Sequence, residues 1–271
     1  MTTIEVSLDR AAGVLSNQAV LRVALARPQV RNAFDAQTIK ELTEVFSKAG
    51  REGPYKDARV VLLSGHGKSF CAGADLDYMK SMAKFSHDEN RKDGEKLFAM
   101  FDAVRTCEVP VIVHVHGHAM GGAVGITACA DIAFAETGTQ FRFSEVRLGI
   151  VPAVISSFIL TKMSSLWARR WMMTGEIFDA DAALNAGLVH FVGLPEEINR
   201  EKELVVKAIL DAGPDAVKTT KRLLNEIDGQ APGQVKTKVV SVIADVRASL
   251  EGQEGLSSFL EKREPSWRLN S

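Results

Sequence analysis

The chain of 271 residues is 46% hydrophobic and 25% charged, an ordinary globular composition with enough length to bury a large core. Its formal net charge of −1 offers no basic field to nucleic acid, so we expect small molecules or further copies of the chain as partners. Three cysteines without a CxxC pair, no signal-peptide pattern and no apolar run of ~18 residues predict a cytoplasmic protein without disulfides, zinc or a membrane span.

The first two thirds of the sequence alternate short strand patterns with helix-period stretches. Strands are predicted at 20–26, 58–65, 109–115 and 131–136, and helices at 36–50, 87–106 and 121–130. In the helix at 87–106, Ser86 and Glu89 have capping-box spacing, and the apolar residues recur at helical spacing. This alternation is typical of an α/β fold built from βαβ units.

The last third of the sequence has a different pattern. A strand is predicted at 187–193, and successive helices follow at 195–212, 215–228, 233–251 and 254–262. We therefore place a domain boundary near residue 194. The helical region is rich enough in apolar residues to require a surface that covers them, either on its own core or on a neighbouring copy.

The stretch FCAGADLDYM (70–79) follows the predicted strand 58–65 and contains several small residues. Ala72, Gly73 and Ala74 leave room for a ligand to approach the backbone N–H groups. The alternative is a tight turn that packs on the sheet.

A second stretch of small residues, GHAMGGAVGI (117–126), follows the predicted strand 109–115. Gly121 and Gly122 begin a predicted helix whose first N–H groups are unpaired and carry partial positive charge. The alternative is a close contact between helix and strand that the glycines permit. The spacing is not that of the GxGxxG dinucleotide motif.

The stretch FRFSEVRLGIVPA (141–153) places Glu145 among apolar residues, ahead of a Gly and a Pro that fix a turn. An apolar setting raises the pKa of a carboxyl toward neutral pH, which suits a general acid or base. The alternative is an exposed glutamate beside Arg142 and Arg147.

Other polar residues near these stretches have a structural interpretation. His114, His116 and His118 alternate along one predicted strand, but a glycine interrupts it and no carboxylate flanks the set, so we expect no metal site. Asp75 is expected to bond its own backbone, and Cys71 to be a small buried residue.

Together, the three stretches resemble the crotonase superfamily, also called the enoyl-CoA hydratase/isomerase family, and the resemblance runs nearly end to end. It implies a crotonase-like α/β fold, with stacked βαβ units in a spiral core (1–194) and a C-terminal helical region (195–271) used in oligomerisation. The resemblance further implies a homotrimer or a dimer of trimers. It identifies Ala74 and Gly122 as backbone N–H donors to an oxyanion hole around a thioester carbonyl, and Glu145 as the catalytic carboxylate.

The resemblance also indicates which residues bind the acyl-CoA substrate. ARPQVRNAFD (26–35) is similar to the family's early coenzyme A segment, with Arg31 near a phosphate. EGQEGLSSFLEKREPSW (251–267) resembles the C-terminal signature, with Phe259 and Lys262 at the nucleotide end, across a subunit boundary. The other expected substrate-binding residues are Ala33, Ala72, Gly73, Asp75, Leu76, Tyr78, Gly121 and Gly125. No cofactor is expected, because coenzyme A is part of the substrate.

The segments CAGADLDYMKSM and SEVRLGIVPAVISSFI look most like the 3-methylglutaconyl-CoA hydratases of leucine metabolism. Hydratases of the family usually carry two glutamates, and the first of them falls here on Gly125. We interpret this glycine as a vacancy that opens volume for a branched substrate and leaves Glu145 to move both protons. Candidate cations for the distal carboxylate of that substrate are Lys80, Arg142 and Lys162.

The resemblance therefore predicts a lyase that reversibly hydrates a β-methyl-branched enoyl-CoA, with 3-methylglutaconyl-CoA and 3-hydroxy-3-methylglutaryl-CoA as the substrate pair. Two alternatives stay open. One is another crotonase reaction, such as isomerisation of an enoyl-CoA, which many members carry out with one carboxylate. The other is a non-catalytic protein that binds acyl-CoA.

Overall fold

The computed structural model describes residues 2–10 and 19–268, and it has the α/β fold that the alternation of strands and helices predicts. The strands are β1 (Ile4–Arg10), β2 (Ala19–Leu25), β3 (Ala58–Gly65), β4 (Val111–Val115), β5 (His118–Met120), β6 (Ile132–Glu136), β7 (Gln140–Arg142), β8 (Ile177–Asp179) and β9 (Phe191–Gly193). The helices are α1 (Ala36–Lys48), α2 (Leu76–Met82), α3 (His87–Arg105), α4 (Gly122–Cys129), α5 (Ala153–Lys162), α6 (Ser165–Thr174), α7 (Ala180–Asn185), α8 (Pro195–Asp211), α9 (Pro214–Ile227), α10 (Pro232–Ala248) and α11 (Leu250–Glu261). In these described ranges, no helix is both long and apolar enough to cross a membrane.

Two sheets organise the strands. The larger sheet has the order β1-β2-β3-β4-β6-β9, in which β1 is antiparallel to β2 and all other neighbours are parallel. The smaller sheet has the order β5-β7-β8, with β5 parallel to β7 and β8 antiparallel to β7. Because β4 and β6 belong to the larger sheet and β5 and β7 to the smaller one, the chain alternates between the two sheets in this region.

Helices cover both faces of the larger sheet, which explains why its central strands are continuous apolar runs. Along β3, Val61 and Leu63 join the large core with α1, α3 and α4, whereas Val60 and Leu62 point to the other face. On that second face they pack with Ile198 of α8, which is fully buried. Thus α8, the first helix after the boundary predicted near residue 194, lies directly on the sheet.

The remaining C-terminal helices pack mainly on one another, and α9 is attached to the core through polar contacts. The ammonium group of Lys221 is buried; it donates to the carbonyl of Val109 at 3.0 Å and lies 2.6 Å from a carboxylate oxygen of Asp131. A buried ion pair that also has hydrogen-bond partners can hold two elements together without a large apolar contact.

The predicted and observed elements differ mainly at their ends. The strand expected at 187–193 is reduced to β9, because Leu188 and Val189 are buried in the turn that precedes it. The last helix begins at Leu250 and not at 254, because the hydroxyl of Ser249 accepts from the N–H of Gly252 and caps it.

Candidate active site

The loop after β3 pairs with the short strand that leads into the glycine pair. The N–H of Cys71 donates to the carbonyl of His118, and the N–H of Met120 donates to the carbonyl of Cys71, both at 3.0 Å. Because β5 continues directly into Gly121 and Gly122, this pairing places the loop beside the start of α4. The two stretches of small residues therefore meet in space.

Phe34 holds these two segments from a third side. Its N–H donates to the carbonyl of Gly73, and its carbonyl accepts from the N–H of Asp75, each at 2.7 Å. These bonds use the residues on either side of Ala74, so the N–H of Ala74 faces away from Phe34 and has no acceptor in the described part of the chain. The Phe34 ring reaches the other segment, since a Cβ on Gly122 would lie 3.1 Å from its Cε2 atom.

The glycine pair provides a second free donor. Gly121 has φ 53° and ψ −119°, a conformation that favours glycine, and its N–H donates to the carbonyl of Arg142 at 2.8 Å. Gly122 is the first residue of α4, so no helical carbonyl lies one turn before it, and its N–H finds no acceptor among the residues described. The helix dipole adds partial positive charge at this point.

Glu145 brings a carboxyl group to the same place. It begins a 3-10 turn (Glu145–Leu148) just after β7, and its Oε1 would lie 3.3 Å from a Cβ on Gly121. Its Oε2 is buried and has no hydrogen-bond partner among the described residues. Burial raises the pKa of Glu145 above the ordinary value of 4.5, against a smaller opposing effect of a backbone hydrogen bond. The raised pKa brings the carboxyl closer to neutral pH, which suits a group that exchanges a proton.

Asp75 is tied to its own backbone, in agreement with the structural interpretation. It caps α2 by accepting from the N–H groups of Asp77 and Tyr78, and it also lies 3.0 Å from the Arg27 guanidinium. Burial alone would raise the pKa of Asp75, but these donors hold it below its usual value. Asp75 thus fixes the loop next to Ala74 as a charged, fully engaged group.

Gly125 does not leave the open volume that the sequence suggested. A Cβ at this position would lie 2.6 Å from Cγ2 of Ile155 and 2.9 Å from Cε1 of Phe101. Gly125 is buried in the middle of α4, and the side chains of α3 and α5 fill the space above it. The expectation of a vacancy beside the substrate was wrong, because packing between helices occupies that space.

The residues expected to bind coenzyme A lie in two regions. In the first, Arg31 is exposed with φ 53°, Ala33 is buried, and Asn32 between them fixes the bend by donating to the carbonyls of His66 and Ser69. No ion pair to Arg31 occurs within the described residues, which leaves its guanidinium available to an anion.

The second region is the end of α11. Phe259 has 82% of its surface exposed, and Lys262, with φ 56°, ends the helix. In the described ranges, α11 packs on α9 and α10, and no hydrogen bond joins it to the segment around Gly122 and Glu145. The exposed Phe259 ring is therefore open to a ligand or to another chain.

Two further residues expected to bind the substrate, Tyr78 and Leu76, differ in their surroundings. Tyr78 is half-buried, and its hydroxyl donates to a carboxylate oxygen of Asp93; burial and this carboxylate both raise the pKa of Tyr78. Leu76 is largely exposed at the start of α2. Tyr78 therefore links α2 to α3, whereas Leu76 is free to contact a ligand.

The three candidate cations already have protein partners. Lys162 donates to the carbonyls of Ala130 and Asp131 at the far end of α4 from Gly122. Arg142 donates to the carbonyl of Gly175, and exposed Lys80 pairs with Asp77. Lys162 therefore cannot serve a substrate bound at the N-terminus of α4, whose eight residues span roughly 12 Å.

The three histidines have different hydrogen-bond partners, although the rings of His114 and His116 meet in a T-shaped arrangement with centroids 6.1 Å apart. His114 pairs with Glu136, His116 contacts the carbonyl of Gly67, and His118 contacts the hydroxyl of Ser69. No group of three or more potential metal ligands comes together in the ranges that the structure describes. Burial raises the pKa of the Cys71 thiol to about 12, so it is not a reactive thiolate at neutral pH.

Some residues that build the site carry no local sequence signal for it. Phe34 and Arg27 lie within the segment compared with the coenzyme A motif, yet their bonds to the loop at 70–75 join distant parts of the chain. Arg27 is nevertheless followed closely by Asp35, an opposite charge that could have indicated an ion pair.

The fold and this geometry define a class of protein in which two free backbone donors and one buried carboxyl meet at the N-terminus of a helix. Residues 16–270 match the model of a known family, enoyl-CoA hydratase/isomerase. The chain belongs to this family.

Relatives and solved structures of similar length agree with this assignment. The crotonyl-CoA hydratase of Syntrophomonas wolfei and the short-chain-enoyl-CoA hydratase of Clostridium acetobutylicum are each 31% identical to this chain, over 89% of it and 91% of their own length. The crystal structure of an enoyl-CoA hydratase from Shewanella pealeana is 34% identical, covers 97% of this chain and 95% of its own, and superposes with a TM-score of 0.86.

Proposed function

We propose that this protein catalyses the reversible hydration of an enoyl-CoA thioester, with Ala74 and Gly122 as oxyanion donors and Glu145 as the only acid/base. The observation that carries the proposal is the position of the Glu145 carboxyl, with one unpartnered oxygen, against Gly121, the residue that precedes the free N–H of Gly122. Membership of the enoyl-CoA hydratase/isomerase family supports the substrate class.

In the proposed reaction Glu145 acts first as a base and then as an acid. Glu145 takes a proton from water while the hydroxyl adds to the β carbon, and the N–H groups of Ala74 and Gly122 stabilise the negative charge that develops on the thioester oxygen. Glu145 then returns that proton to the α carbon. Each oxyanion donor contributes on the order of 3 kcal/mol in comparable sites. Dehydration follows the same steps in reverse and needs no cofactor.

The finer proposal is a β-methyl-branched substrate, with 3-methylglutaconyl-CoA and 3-hydroxy-3-methylglutaryl-CoA as the pair. It is supported by the similarity of SEVRLGIVPAVISSFI to the hydratases of that substrate. The packing at Gly125 adds no support, because the position is filled by protein atoms. Branched and linear substrates must therefore be compared directly.

Isomerisation is the second candidate, favoured by the same packing at Gly125. With no carboxyl there, Glu145 is the predicted site residue whose carboxyl has an unpartnered oxygen, since Asp75 is held by backbone N–H groups and by Arg27. One carboxyl is sufficient to take a proton from the α carbon of a 3-enoyl-CoA and return it at the γ carbon, whereas hydration requires the same group to activate water as well.

The absorbance of the enoyl thioester distinguishes these reactions in one assay. Hydration of a 2-enoyl-CoA lowers the absorbance, and isomerisation of a 3-enoyl-CoA raises it. Binding alone leaves the absorbance unchanged. We expect a decrease with crotonyl-CoA and a faster decrease with 3-methylglutaconyl-CoA. Faster turnover of crotonyl-CoA would contradict the branched substrate, and a change only with 3-enoyl-CoA would replace hydration by isomerisation. No change with any substrate, despite binding, would indicate a non-catalytic protein.

A further inference from the structure

The helix that begins at the free Gly122 donor and the helix that follows Glu145 touch at one unusually close point. At Gly125 of α4, a Cβ would lie 2.6 Å from Cγ2 of Ile155 on α5, well inside normal contact distance. The backbone of Gly125 is ordinary helix, so only space, and not a positive φ, requires glycine here. Glycine is a poor residue for a helix interior, and its presence permits α5 to lie directly on α4.

A short bonded segment connects this contact to the Glu145 carboxyl. The N–H of Ile150 donates to the carbonyl of Glu145 at 3.2 Å, and the N–H of Ala153 donates to the carbonyl of Val151 at 2.8 Å. Ile155 follows in the first turn of α5 and is 3% exposed. A displacement of α5 would therefore be passed to the turn that carries Glu145.

The same contact lies one helical turn from the donor. Gly122 is the first residue of α4, and Gly125 follows it by three positions. Because close-packed helices have low compressibility, the depth at which Ile155 sits on Gly125 fixes how far α5 stands from α4.

We propose that Gly125 and Ile155 form a positioning contact that sets the distance between the Glu145 carboxyl and the Gly122 N–H. This inference rests on the proposed function, in which those two groups act on one substrate. Neither Gly125 nor Ile155 is a catalytic residue in this view. They act through α4, which begins at Gly122, and through α5, which is joined to the turn that carries Glu145.

The first test enlarges one side of the contact. In Gly125→Ala the new methyl group forces α5 outward, and a misplacement of about 1 Å at a reacting group costs about 10²-fold in rate. We expect kcat for the best enoyl-CoA substrate to fall at least about tenfold, with KM changed less than about threefold. Adding Ile155→Ala removes the Cγ2 atom that the methyl would meet, and should restore kcat substantially.

A matched control separates this mechanism from general overpacking of the core. Phe101 of α3 also approaches Gly125, since its Cε1 would lie 2.9 Å from the new Cβ, but α3 does not carry Glu145. Gly125→Ala with Phe101→Leu relieves this second clash and should not restore kcat. Equal rescue by Phe101→Leu and Ile155→Ala would overturn the proposal, as would a wild-type kcat in Gly125→Ala.

A second pair of variants tests the positioning contact even if Gly125→Ala fails to fold. Ile155→Val keeps Cγ2 and should retain kcat within about threefold, whereas Ile155→Ala loses the contact and should fall about tenfold or more. Similar kcat values in both variants, with both folded, would overturn the proposal.

A readout that does not depend on turnover distinguishes failure of this inference from failure of the proposed function. The pKa of Glu145 can be followed by NMR of a ¹³C-labelled carboxyl. Loosening of α5 in Ile155→Ala should admit water and shift this pKa down toward 4.5, with no such shift in Ile155→Val. If the wild type turns over no enoyl-CoA, hydration is refuted while this comparison still decides the positioning contact; an unchanged pKa in Ile155→Ala would refute the contact.

Discussion

The Glu145 carboxyl is a buried acid with one oxygen that no described residue satisfies. A structural carboxyl would be expected to find partners for both oxygens, because an unsatisfied buried acceptor costs about 1–3 kcal/mol. Asp75 illustrates the contrast, since its two oxygens accept from two N–H groups and a guanidinium. The difference indicates that the free oxygen of Glu145 is available to bind a ligand or to exchange a proton.

Glu145→Gln tests this role directly. The amide has the same shape but cannot exchange a proton, so turnover of enoyl-CoA should fall by about 10²-fold or more, with coenzyme A affinity nearly unchanged. Steady-state kinetics and a binding isotherm measure the two quantities. Glu203→Gln, at an exposed position of α8, is the matched control and should behave as wild type. Retention of turnover in Glu145→Gln would remove this residue from the mechanism.

The same substitution should stabilise the fold, with a defined dependence on pH. Burial raises the pKa of Glu145 in the folded state, whereas the unfolded carboxyl titrates near 4.5. The folded state then holds more protons, so the contribution of this group to stability falls as pH rises from 4.5 through the folded pKa. The Tm of Glu145→Gln should exceed that of wild type by more at about pH 8 than at about pH 4. An equal difference at both values would contradict the effect of burial.

Two substitutions test the role of the Ala74 N–H, because only one of them removes it. Ala74 is exposed, so Ala74→Ser retains the donor without a packing cost, whereas Ala74→Pro deletes the N–H. The proline variant should lose about 10² to 10³ in kcat relative to the serine variant, the usual effect of one oxyanion donor. Circular dichroism must first show that both variants are folded. Equal activities would exclude Ala74 from the oxyanion hole.

The resemblance predicts that Ala74, Gly122 and Glu145 belong to one site. It rests on small residues that follow predicted strands and on an isolated glutamate. The filling of Gly125 could not be predicted in the same way. A glycine in a helix indicates space, but only the fold shows that Ile155, on a separate helix, occupies it.

Arg27 connects several elements around the site. One of its nitrogens lies 2.9 Å from the Asp35 carboxylate, which caps α1, and another lies 3.0 Å from the Asp75 carboxylate, which caps α2. It also donates to the carbonyl of Ala33 at 2.9 Å. The starts of two helices and the segment compared with the coenzyme A motif therefore depend on one guanidinium.

Arg27→Met should destabilise the protein and weaken catalysis. Removing the cation leaves two partly buried carboxylates without their partner, which should lower the free energy of unfolding by about 1–3 kcal/mol. Arg22→Met is the control, because Arg22 forms one exposed pair with Asp9 and should cost no more than about 0.5 kcal/mol. Denaturant unfolding compares the two. Equal effects would show that the network adds nothing beyond a surface ion pair.

Two elements with strong local signals were predicted with nearly correct bounds, whereas β1, which alternates over seven residues, was not predicted. Ser86 and Glu89 form the expected capping box of α3, and β3 has the expected bounds. The strands β5, β7 and β8 were missed because each has three residues, too few for any periodicity to appear. Their pairing depends on contacts between distant parts of the chain, which no local pattern contains.

Exposed apolar residues on α11 bear on the assembly of the molecule. Leu256, Phe259 and Leu260 lie on one face by helical spacing, and all three are more than half exposed. A second apolar group, Ile150 and Val151, is exposed in the segment between the Glu145 turn and α5. Groups of exposed large apolar side chains are more typical of an interface between subunits than of a monomer.

Light scattering at micromolar concentration should therefore give the mass of a trimer or a hexamer. Leu256, Phe259 and Leu260 bury little within the single chain, so replacing Phe259 and Leu260 by serine should cost little folding stability while it weakens association. Leu194→Ser, at an exposed leucine before α8, is the matched control and should leave the mass unchanged. Because the resemblance implies that Phe259 and Lys262 bind the nucleotide end across a subunit boundary, coenzyme A affinity should fall on dilution of the wild type. It should fall together with the mass in the double variant. A wild-type protein that stays monomeric at micromolar concentration, or a double variant that dissociates with unchanged affinity, would contradict a shared binding site.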